Sequence, residues 1–323
     1  MTSGVSRRRA LATILAGGLA ASACDYFVPF LESGPAGPTP APVPTSPLGS
    51  PGPLPPNQNG PWNRDLDVRT GDGGRFGPSD VFTPYAGVPC LAKDAAGRLV
   101  AVFQWFPLDR TAAFDRVAVR FSTDGGLSWS DPTAIVVNGS PPSMQRPFDP
   151  TIVLLEDGRL RLYFTSSQGG GQTAFFSAVS VDGVSYDFEP GVRFAVNGRM
   201  VVDCAVGSAG GRWNLVAPIG RPEDGAYHAV SDDGLRFERV ADIPSVGGVN
   251  WTGNLIRWGE GLRFYGSSRN GVWWSFSTDG TTWTDPVLIN VAGGDPAVVE
   301  VRPERVRLVV VSEPRRNVSP PGR

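Results

Sequence analysis

Ser122-Thr-Asp-Gly-Gly-Leu-Ser-Trp129 decides the fold of this 323-residue chain, because shorter versions of it recur along the sequence. Each version has a hydroxyl residue, an Asp-Gly pair and, a few residues later, an aromatic ring. The other versions begin at Thr70, Ser180, Ser231 and Ser277, and successive aspartates are 46 to 58 residues apart. A repeat of this period is typical of propellers and other repeat architectures.

The residue types of the motif suit a tight hairpin turn. Asp-Gly supplies the positive φ that such a turn needs. The hydroxyl and the carboxylate can accept hydrogen bonds from turn amides, and the trailing ring can pack back onto the sheet. We therefore predict that all five motif aspartates are structural rather than catalytic: Asp72, Asp124, Asp182, Asp233 and Asp279.

A second set of turns alternates with the first and sets the number of blades. Apolar strand pairs turn at residues 96–99, 157–160, 210–213, 260–262 and 303–306. Five turns of each kind predict an all-β, five-bladed propeller with four antiparallel strands in each blade. The count requires that strands from about 295–312 join those from about 64–83 in one blade. This pairing closes the ring and removes an exposed sheet edge.

The N-terminus has the features of an export signal. Residues 1–23 are basic and then apolar, over too short a run to span a bilayer. Ser6–Leu11 resembles a twin-arginine signal, and Ala21–Cys24 resembles a lipobox, which implies lipidation of Cys24. Cleavage after Ala23 with plain secretion is the alternative. We expect a Pro-rich tether over 24–61, the propeller over 62–313, a flexible tail over 314–323, and a location at the cell envelope.

The motif resembles the Asp-box repeat of bacterial neuraminidases, which implies a sialidase-like propeller. A second resemblance concerns Asp149-Pro150 and Asp295-Pro296, which look like the Asp-Pro strand of five-bladed furanosidases. It implies that Asp149 is a general base or pKa modulator, with Asp203 as a second acid and Asp295 as a third. The glutamate that usually serves as general acid in that family has no clear match, and neither has the Phe-Arg-Ile-Pro motif of sialidases.

Further candidates follow from the face of the propeller that should hold a site. The loops at the start of the inner strands surround the channel mouth, the expected binding site. We expect Trp105 and Trp251 to stack on sugar rings there, and Tyr85 and Tyr265 to lie near these loops. Converging guanidinium groups would bind a substrate carboxylate, and Arg146, Arg199 and Arg269 are the main candidates, with Arg110 and Arg221 on the same face.

The composition excludes several classes of function. A net charge of −2 gives no electrostatic signal for nucleic acid. One histidine and three cysteines provide no closely spaced metal ligands, so we expect no metal and no cofactor. Cys90 and Cys204 are expected to be buried free thiols. Two functions remain open: a monomeric, lipid-anchored glycoside hydrolase that acts on a glycan at the channel mouth, and a non-catalytic lipoprotein that binds carbohydrate or protein.

Overall fold

The structure, a computed structural model, describes residues 60–314. The predicted signal peptide, Cys24, nearly all of the tether and most of the tail therefore lie outside the described residues. Three 3-10 turns occur in the described range, at Pro61–Asn63, Thr111–Ala113 and Pro222–Asp224. No helix within residues 60–314 has the length and apolar composition of a membrane span.

Residues 60–314 otherwise consist of short strands and the turns between them. In chain order the strands are β1 (Leu66–Gly71), β2 (Asp80–Thr83), β3 (Ala86–Lys93), β4 (Leu99–Trp105), β5 (Arg116–Ser122), β6 (Thr133–Ala134), β7 (Val136–Asn138), β8 (Phe148–Leu154), β9 (Leu160–Ser166), β10 (Ala174–Ser180), β11 (Ser185–Phe194), β12 (Ala205–Ala209), β13 (Arg212–Pro218), β14 (Ala226–Ser231), β15 (Glu238–Arg239), β16 (Val249–Trp258), β17 (Gly261–Ser268), β18 (Gly271–Ser277), β19 (Val287–Leu288), β20 (Gly294–Arg302) and β21 (Arg305–Val311).

The strands form five antiparallel sheets that are arranged in a ring, a five-bladed propeller as predicted. From the axis outward, blade 1 is β3-β4-β5-β6, blade 3 is β12-β13-β14-β15 and blade 4 is β16-β17-β18-β19. Blade 2 is β8-β9-β10-β11, with the short strand β7 added parallel to β11. The innermost strands β20, β3, β8, β12 and β16 contact one another in this order around the axis.

Blade 5 joins the two ends of the domain. Its order is β20-β21-β1-β2, so the C-terminal strand β21 pairs directly with the N-terminal strand β1. Six residue pairs hold the two strands in register, from Leu66 opposite Val311 to Gly71 opposite Val306. The predicted closure is confirmed, and it covers the sheet edges that β1 and β21 would each expose without this pairing.

The core lies between neighbouring blades rather than within one central cluster. Valines and aromatic residues favour the pleated, buried surfaces of strands, and all residues of β4 and β9 are buried. Each of the five gaps between blades holds one apolar cluster. The ring therefore buries the apolar side chains on both faces of each blade, which an isolated blade would expose to water.

The motif aspartates lie in the outer hairpin turns. The carboxylate of Asp124 accepts hydrogen bonds from the Leu127 and Ser128 amides, at 2.9 Å each. The other four motif aspartates each accept two backbone N–H bonds from their own turns. Hydroxyl and amide donors, first those of Ser128, hold the pKa of Asp124 well below its usual range. The carboxylates thus satisfy donors of the turn itself.

The motif turns share one face of the ring with the turns of the inner hairpins. Arg98, beside the β3–β4 turn, donates from Nη2 to the Asp182 carbonyl at 3.2 Å. Tyr163 on β9 donates to the Gly234 carbonyl of the next blade at 2.7 Å. Since inner strands run away from their starting points toward these turns, the starts of the inner strands lie at the opposite face.

Candidate functional site

The inner strands begin with an irregularity that turns side chains toward the axis. In β8 the pairing jumps from Phe148 to Thr151, and in β20 it jumps from Gly294 to Ala297, so Asp149 and Asp295 lie in bulges. Blade 1 has the same bulge between Gly87 and Cys90. A bulge re-aims a side chain, and it tolerates the following proline because that residue need not donate to the ladder.

Four equivalent residues adopt left-handed backbone conformations. The φ angles are 48° at Asp149, 56° at Asp203, 40° at Asp295 and 47° at Val88. This region is disfavoured for residues with a side chain, and most of all for a β-branched valine. Such strain persists where the surrounding structure imposes it, and it concentrates at functional sites. Val88 is the position in blade 1 that corresponds to the three aspartates.

These residues surround one cavity on the propeller axis. Its walls are Val88, Pro89, Asp149, Pro150, Thr151, Asp203, Cys204, Gly253 and Asp295. The structure thus brings together the three predicted acids from three different inner-strand positions. The cavity has a volume of about 10 Å³, roughly the space for one water molecule. A sugar would therefore have to lie above the carboxylates, at the mouth, where Asp149 and Val88 are partly exposed.

Asp149 has strongly perturbed acid–base properties. Burial raises its pKa to about 7, and the neighbouring Asp295 carboxylate adds to the rise. The Asp203 backbone amide, the Thr165 hydroxyl and Arg146 oppose the rise by favouring the ionised form. A carboxyl with a pKa near 7 is partly protonated at neutral pH, as a general acid or base requires.

Asp295 and Asp203 are more deeply buried. Asp295 is 9% exposed, and burial raises its pKa, while the Thr252 hydroxyl and the Arg64 guanidinium lower it. Asp203 is 7% exposed, and its backbone amide is the one that faces Asp149. The Asp149 and Asp295 carboxyls therefore interact in a region of low dielectric, where like charges are strongly unfavourable, and Asp203 lines the same cavity.

Arg146 lies beside this group and is held there by Asp115. Its guanidinium forms an ion pair with the Asp115 carboxylate, and its Nε donates to the Asp115 carbonyl at 2.8 Å. Gln104 donates to the same carboxylate at 2.6 Å and accepts the Asp149 backbone N–H at 3.3 Å. Asp115 and Gln104 thus fix both the arginine and the Asp149 backbone.

The remaining predicted arginines lie apart from the cavity. Arg199 is exposed in the β11–β12 connection, and Arg269 is exposed in the β17–β18 turn. Arg110 is also largely exposed and lies over the Trp105 ring, 5.6 Å from its centroid. None of the three lines the cavity. Arg221 takes part in its own turn, where Asp224 accepts its backbone N–H at 3.1 Å.

The aromatic candidates are corrected by the structure. Trp251 is 1% exposed and packs against Phe264, Trp273 and Trp283, so its ring is not available to stack on a sugar. Its apolar neighbours in β16–β18 draw it into the core between blades 3 and 4. Tyr265 is fully buried near the opposite face, where its hydroxyl donates to the Gly73 carbonyl.

Trp105 and Tyr85 lie at the correct end of blade 1. Trp105 is 7% exposed and belongs to the core between blades 5 and 1, which leaves little of its ring accessible. Tyr85 is half-buried before β3 and has a φ of 53°. Its backbone amide donates to Asp65 Oδ1 at 3.0 Å.

Both cysteines of the propeller are buried free thiols, as expected. Cys90 accepts hydrogen bonds at its sulfur from the Ile152 amide and the Asn254 side chain, each at 3.4 Å. Burial raises the pKa of Cys90 to about 11. Burial also raises the pKa of Cys204, as do the nearby Asp149 and Asp203 carboxylates. Within residues 60–314, no group of three or more His, Cys, Asp or Glu side chains has the arrangement of a metal site.

Four residues near the acids were not predicted from the sequence: Arg64, Gln104, Asp115 and Thr165. Arg64 precedes β1, and the predicted pairing of the N- and C-terminal strands in blade 5 could have placed it near the channel mouth. Gln104 is the last residue but one of β4 and directly follows five apolar side chains, and an amide at such a position could have been singled out from the sequence. Asp115 and Thr165 carry no such signal in the sequence.

Comparisons with known proteins give the fold. No family model matches the chain, and no curated protein matches it. A family 117 glycoside hydrolase from Zobellia galactanivorans is 13% identical with a TM-score of 0.51, over 70% of this chain and 84% of that one. An α-L-arabinofuranosidase from Clostridium thermocellum is 16% identical with a TM-score of 0.51, over 68% and 79% of the two chains. A GH43_1 enzyme from Xanthomonas citri, in complex with xylose, is 15% identical with a TM-score of 0.50, over 70% and 86%. The chain therefore has a propeller fold that glycoside hydrolases also use.

Proposed function

We propose that this protein is a glycoside hydrolase that acts on a glycan at the mouth of its propeller channel. The observation that carries the proposal is the convergence of Asp149, Asp203 and Asp295 on one axial cavity, with the pKa of Asp149 raised to about 7. Fold alone does not assign a function. Perturbed carboxyls in a cleft, in strained backbone positions, are the physical signature of a catalytic site.

Most glycoside hydrolases use two carboxyl groups with different protonation states. In the proposed reaction Asp149 donates its proton to the leaving oxygen as the bond to the anomeric carbon breaks. Water forms the new bond to that carbon, and its proton passes to the Asp203 carboxylate. The sequence suggested Asp149 as a base or modulator. Its raised pKa favours the role of proton donor, because burial and Asp295 keep it protonated near neutral pH.

Arg146 is the proposed contact for an anionic or hydroxyl-rich substrate. Its charge already lowers the pKa of Asp149, so it lies within electrostatic reach of the acid. Arg199 and Arg269 remain proposed contacts for the outer part of a glycan, because both are exposed on loops at the end of the blades where inner strands start. Xylosides, arabinofuranosides and sialosides form the first panel of substrates to be tested.

The proposal includes a location outside the cytoplasm. The basic and apolar residues 1–23 support export, and Cys24 supports a lipid anchor followed by a Pro-rich tether. A tether of this composition is extended, at roughly 3 Å per residue. It would hold a monomeric propeller some distance from a membrane, with the channel mouth free to bind glycan.

Hydrolysis of 4-nitrophenyl xylosides, arabinofuranosides and sialosides by the full chain tests the proposal. We expect activity with at least one substrate and a loss of about 100-fold or more in kcat for Asp149→Asn. Asp232→Asn is the matched control, because this carboxylate is exposed in a motif turn on the opposite face. Equal activity of the wild type and Asp149→Asn would remove Asp149 from the mechanism.

The second candidate function is a non-catalytic carbohydrate-binding propeller. The observation that favours it is the small cavity, about 10 Å³, which leaves the carboxyls little room to reach a reacting bond. If no glycoside in the panel is hydrolysed, calorimetric binding of the same sugars decides for this function. Binding that Arg146→Gln weakens while activity is absent would place a binding site at the mouth.

A further inference from the structure

A second groove lies between blades 5 and 1, toward the face opposite the channel mouth. We name it the blade 5–1 groove; its lining includes Arg69, Val81, Arg120, Leu127, Trp129 and Arg307. Leu127 and Trp129 belong to the motif turn of blade 1, and Arg307 lies on β21. The groove has a volume of about 430 Å³, which is within the range of small-molecule binding sites.

Three N–H groups of this lining lack an acceptor among residues 60–314. They are Nε of Arg69, Nη2 of Arg307 and Nε1 of Trp129. Arg307 is 6% exposed, so water does not readily satisfy its free N–H. Buried donors without acceptors are unfavourable and rare. Nε of Arg193 and of Arg263 are also without an acceptor elsewhere in the described propeller, but here three such donors line one groove, where a ligand with acceptor oxygens would satisfy them.

In blade 2, Arg161 holds the position that Arg307 holds in blade 5. Arg161 and Arg307 each follow the first apolar residue after an inner hairpin turn, and each donates to the motif turn of the next blade. Arg161 donates to the Asp233 carbonyl at 3.2 Å, and Arg307 donates to the Gly125 carbonyl at 2.9 Å. The bracing role is therefore shared by both arginines.

The two arginines differ in their remaining donors. Glu189 binds the Arg161 guanidinium through both oxygens, at 2.8 and 2.9 Å. Arg307 instead donates to the hydroxyl of Thr70, and it has no ion pair with a described residue. Blade 5 thus lacks the carboxylate that blade 2 supplies from its own β11.

The acids near the groove do not replace that carboxylate. Asp80 lines the groove but is exposed. Asp124 lies close enough to Arg307 to favour its charged form, yet its oxygens already bind the amides and hydroxyls of the motif turn. Arg69 and Arg120 add two further guanidinium groups to the same lining, with Asp67 within electrostatic reach of Arg69 and Asp131 within reach of Arg120. The groove therefore offers guanidinium N–H donors to an anion.

We propose that the blade 5–1 groove binds the carboxylate of an acidic sugar, such as a uronic acid residue of a glycan. Arg307 and Arg69 contact the carboxylate, which takes the place that Glu189 has in blade 2. A planar carboxylate matches the guanidinium fork. Leu127 and Val81, 71% and 62% exposed, provide apolar contact for the ring. This site is separate from the channel mouth and does not depend on the proposed hydrolysis.

Calorimetric titration of the full chain with glucuronate tests the proposal, with glucose as the neutral counterpart and sulfate as a non-planar anion. We expect glucuronate to bind, with glucose and sulfate at least tenfold weaker. Arg69→Gln should weaken glucuronate binding about tenfold or more, and Arg307→Gln should weaken it further. Arg302→Gln is the control, since Arg302 is exposed at the end of β20 and does not line the groove.

Arg307→Gln removes a brace as well as a charge, so a folded fraction measured by circular dichroism must accompany it. Arg69→Gln keeps the test decisive if Arg307→Gln fails to fold. The proposal is overturned if glucuronate does not bind at millimolar concentration, if glucose binds equally well, or if Arg302→Gln weakens binding as much as Arg69→Gln. It is also overturned if Asp149→Asn abolishes glucuronate binding while Arg69→Gln leaves it intact, because the ligand would then lie at the channel mouth.

Discussion

Asp149→Asn should stabilise the fold at alkaline pH even where it removes activity. In the native protein, burial and the Asp295 carboxylate raise the pKa of Asp149 to about 7, from an ordinary value of 3.8. Between pH 3.8 and about pH 7, the carboxyl of Asp149 is therefore protonated in the folded state and ionised in the unfolded state. Folding stability falls as pH rises through this window, and the full loss is present above pH 7.

The size of the effect follows from the two pKa values. A rise from 3.8 to about 7 corresponds to about 4 kcal/mol of lost stability at pH 8. At pH 5 only about 1.5 kcal/mol of this loss has developed. Asparagine is neutral at both pH values and nearly isosteric with the protonated acid. Asp149→Asn should therefore gain about 2 to 3 kcal/mol relative to the wild type between pH 5 and pH 8.

Urea unfolding followed by tryptophan fluorescence at pH 5 and pH 8 measures this gain. Asp232→Asn, the exposed counterpart, should show no pH-dependent difference from the wild type. Asp295→Asn should show part of the gain, because it removes the like charge but leaves Asp149 buried. If the difference between the wild type and Asp149→Asn is the same at both pH values, the carboxyl is ionised normally and the proton-donor role fails with it.

Three further substitutions test the packing that supports the site. Trp251→Ala should lower the free energy of unfolding by about 3 to 5 kcal/mol, because it leaves a cavity among buried rings. Gly280→Ala should cost about 1 to 3 kcal/mol, because Gly280 has a φ of 76° and the added Cβ would clash with Asn214. Glu189→Gln should cost about 3 to 5 kcal/mol, because it leaves the buried Arg161 guanidinium without a counter-charge. Urea unfolding at pH 7 measures all three.

Two controls separate these causes. Gly97→Ala changes a glycine with a φ of 81° and nothing within 4 Å of the new Cβ, so only the backbone strain should remain. Equal losses for Gly97→Ala and Gly280→Ala would contradict the steric part. Asp157→Asn breaks an exposed pair with Arg159 and should cost less than about 1 kcal/mol. A loss as large as that of Glu189→Gln would contradict the argument from burial, and an unchanged midpoint for Trp251→Ala would contradict its core role.

The fold could be predicted from the sequence because the turn motifs that define it are local and repeated. Asp-Gly turns, hydroxyl caps and trailing rings act within about eight residues, and they need no knowledge of distant contacts. The two sets of five turns then predicted five blades. Five complete blades are possible only if the first and last strands share a blade, and Leu66–Gly71 indeed pairs with Arg305–Val311. Prediction failed for Trp251 because its place near the start of β16 does not reveal that rings of its own blade and side chains of blade 3 cover it.

The sequence by itself determined the repeat, the closure of the ring and the positions of Asp149, Asp203 and Asp295 at the starts of inner strands. Only the tertiary structure decided that these acids share one cavity, that burial and Asp295 raise the pKa of Asp149, and that Asp115 holds Arg146 beside it. The tertiary structure also showed that Arg307 lacks an ion-pair partner among the described residues, whereas the equivalent Arg161 pairs with Glu189. The physical reason is that turns depend on neighbouring residues, whereas desolvation and charge pairing depend on groups that meet across blades.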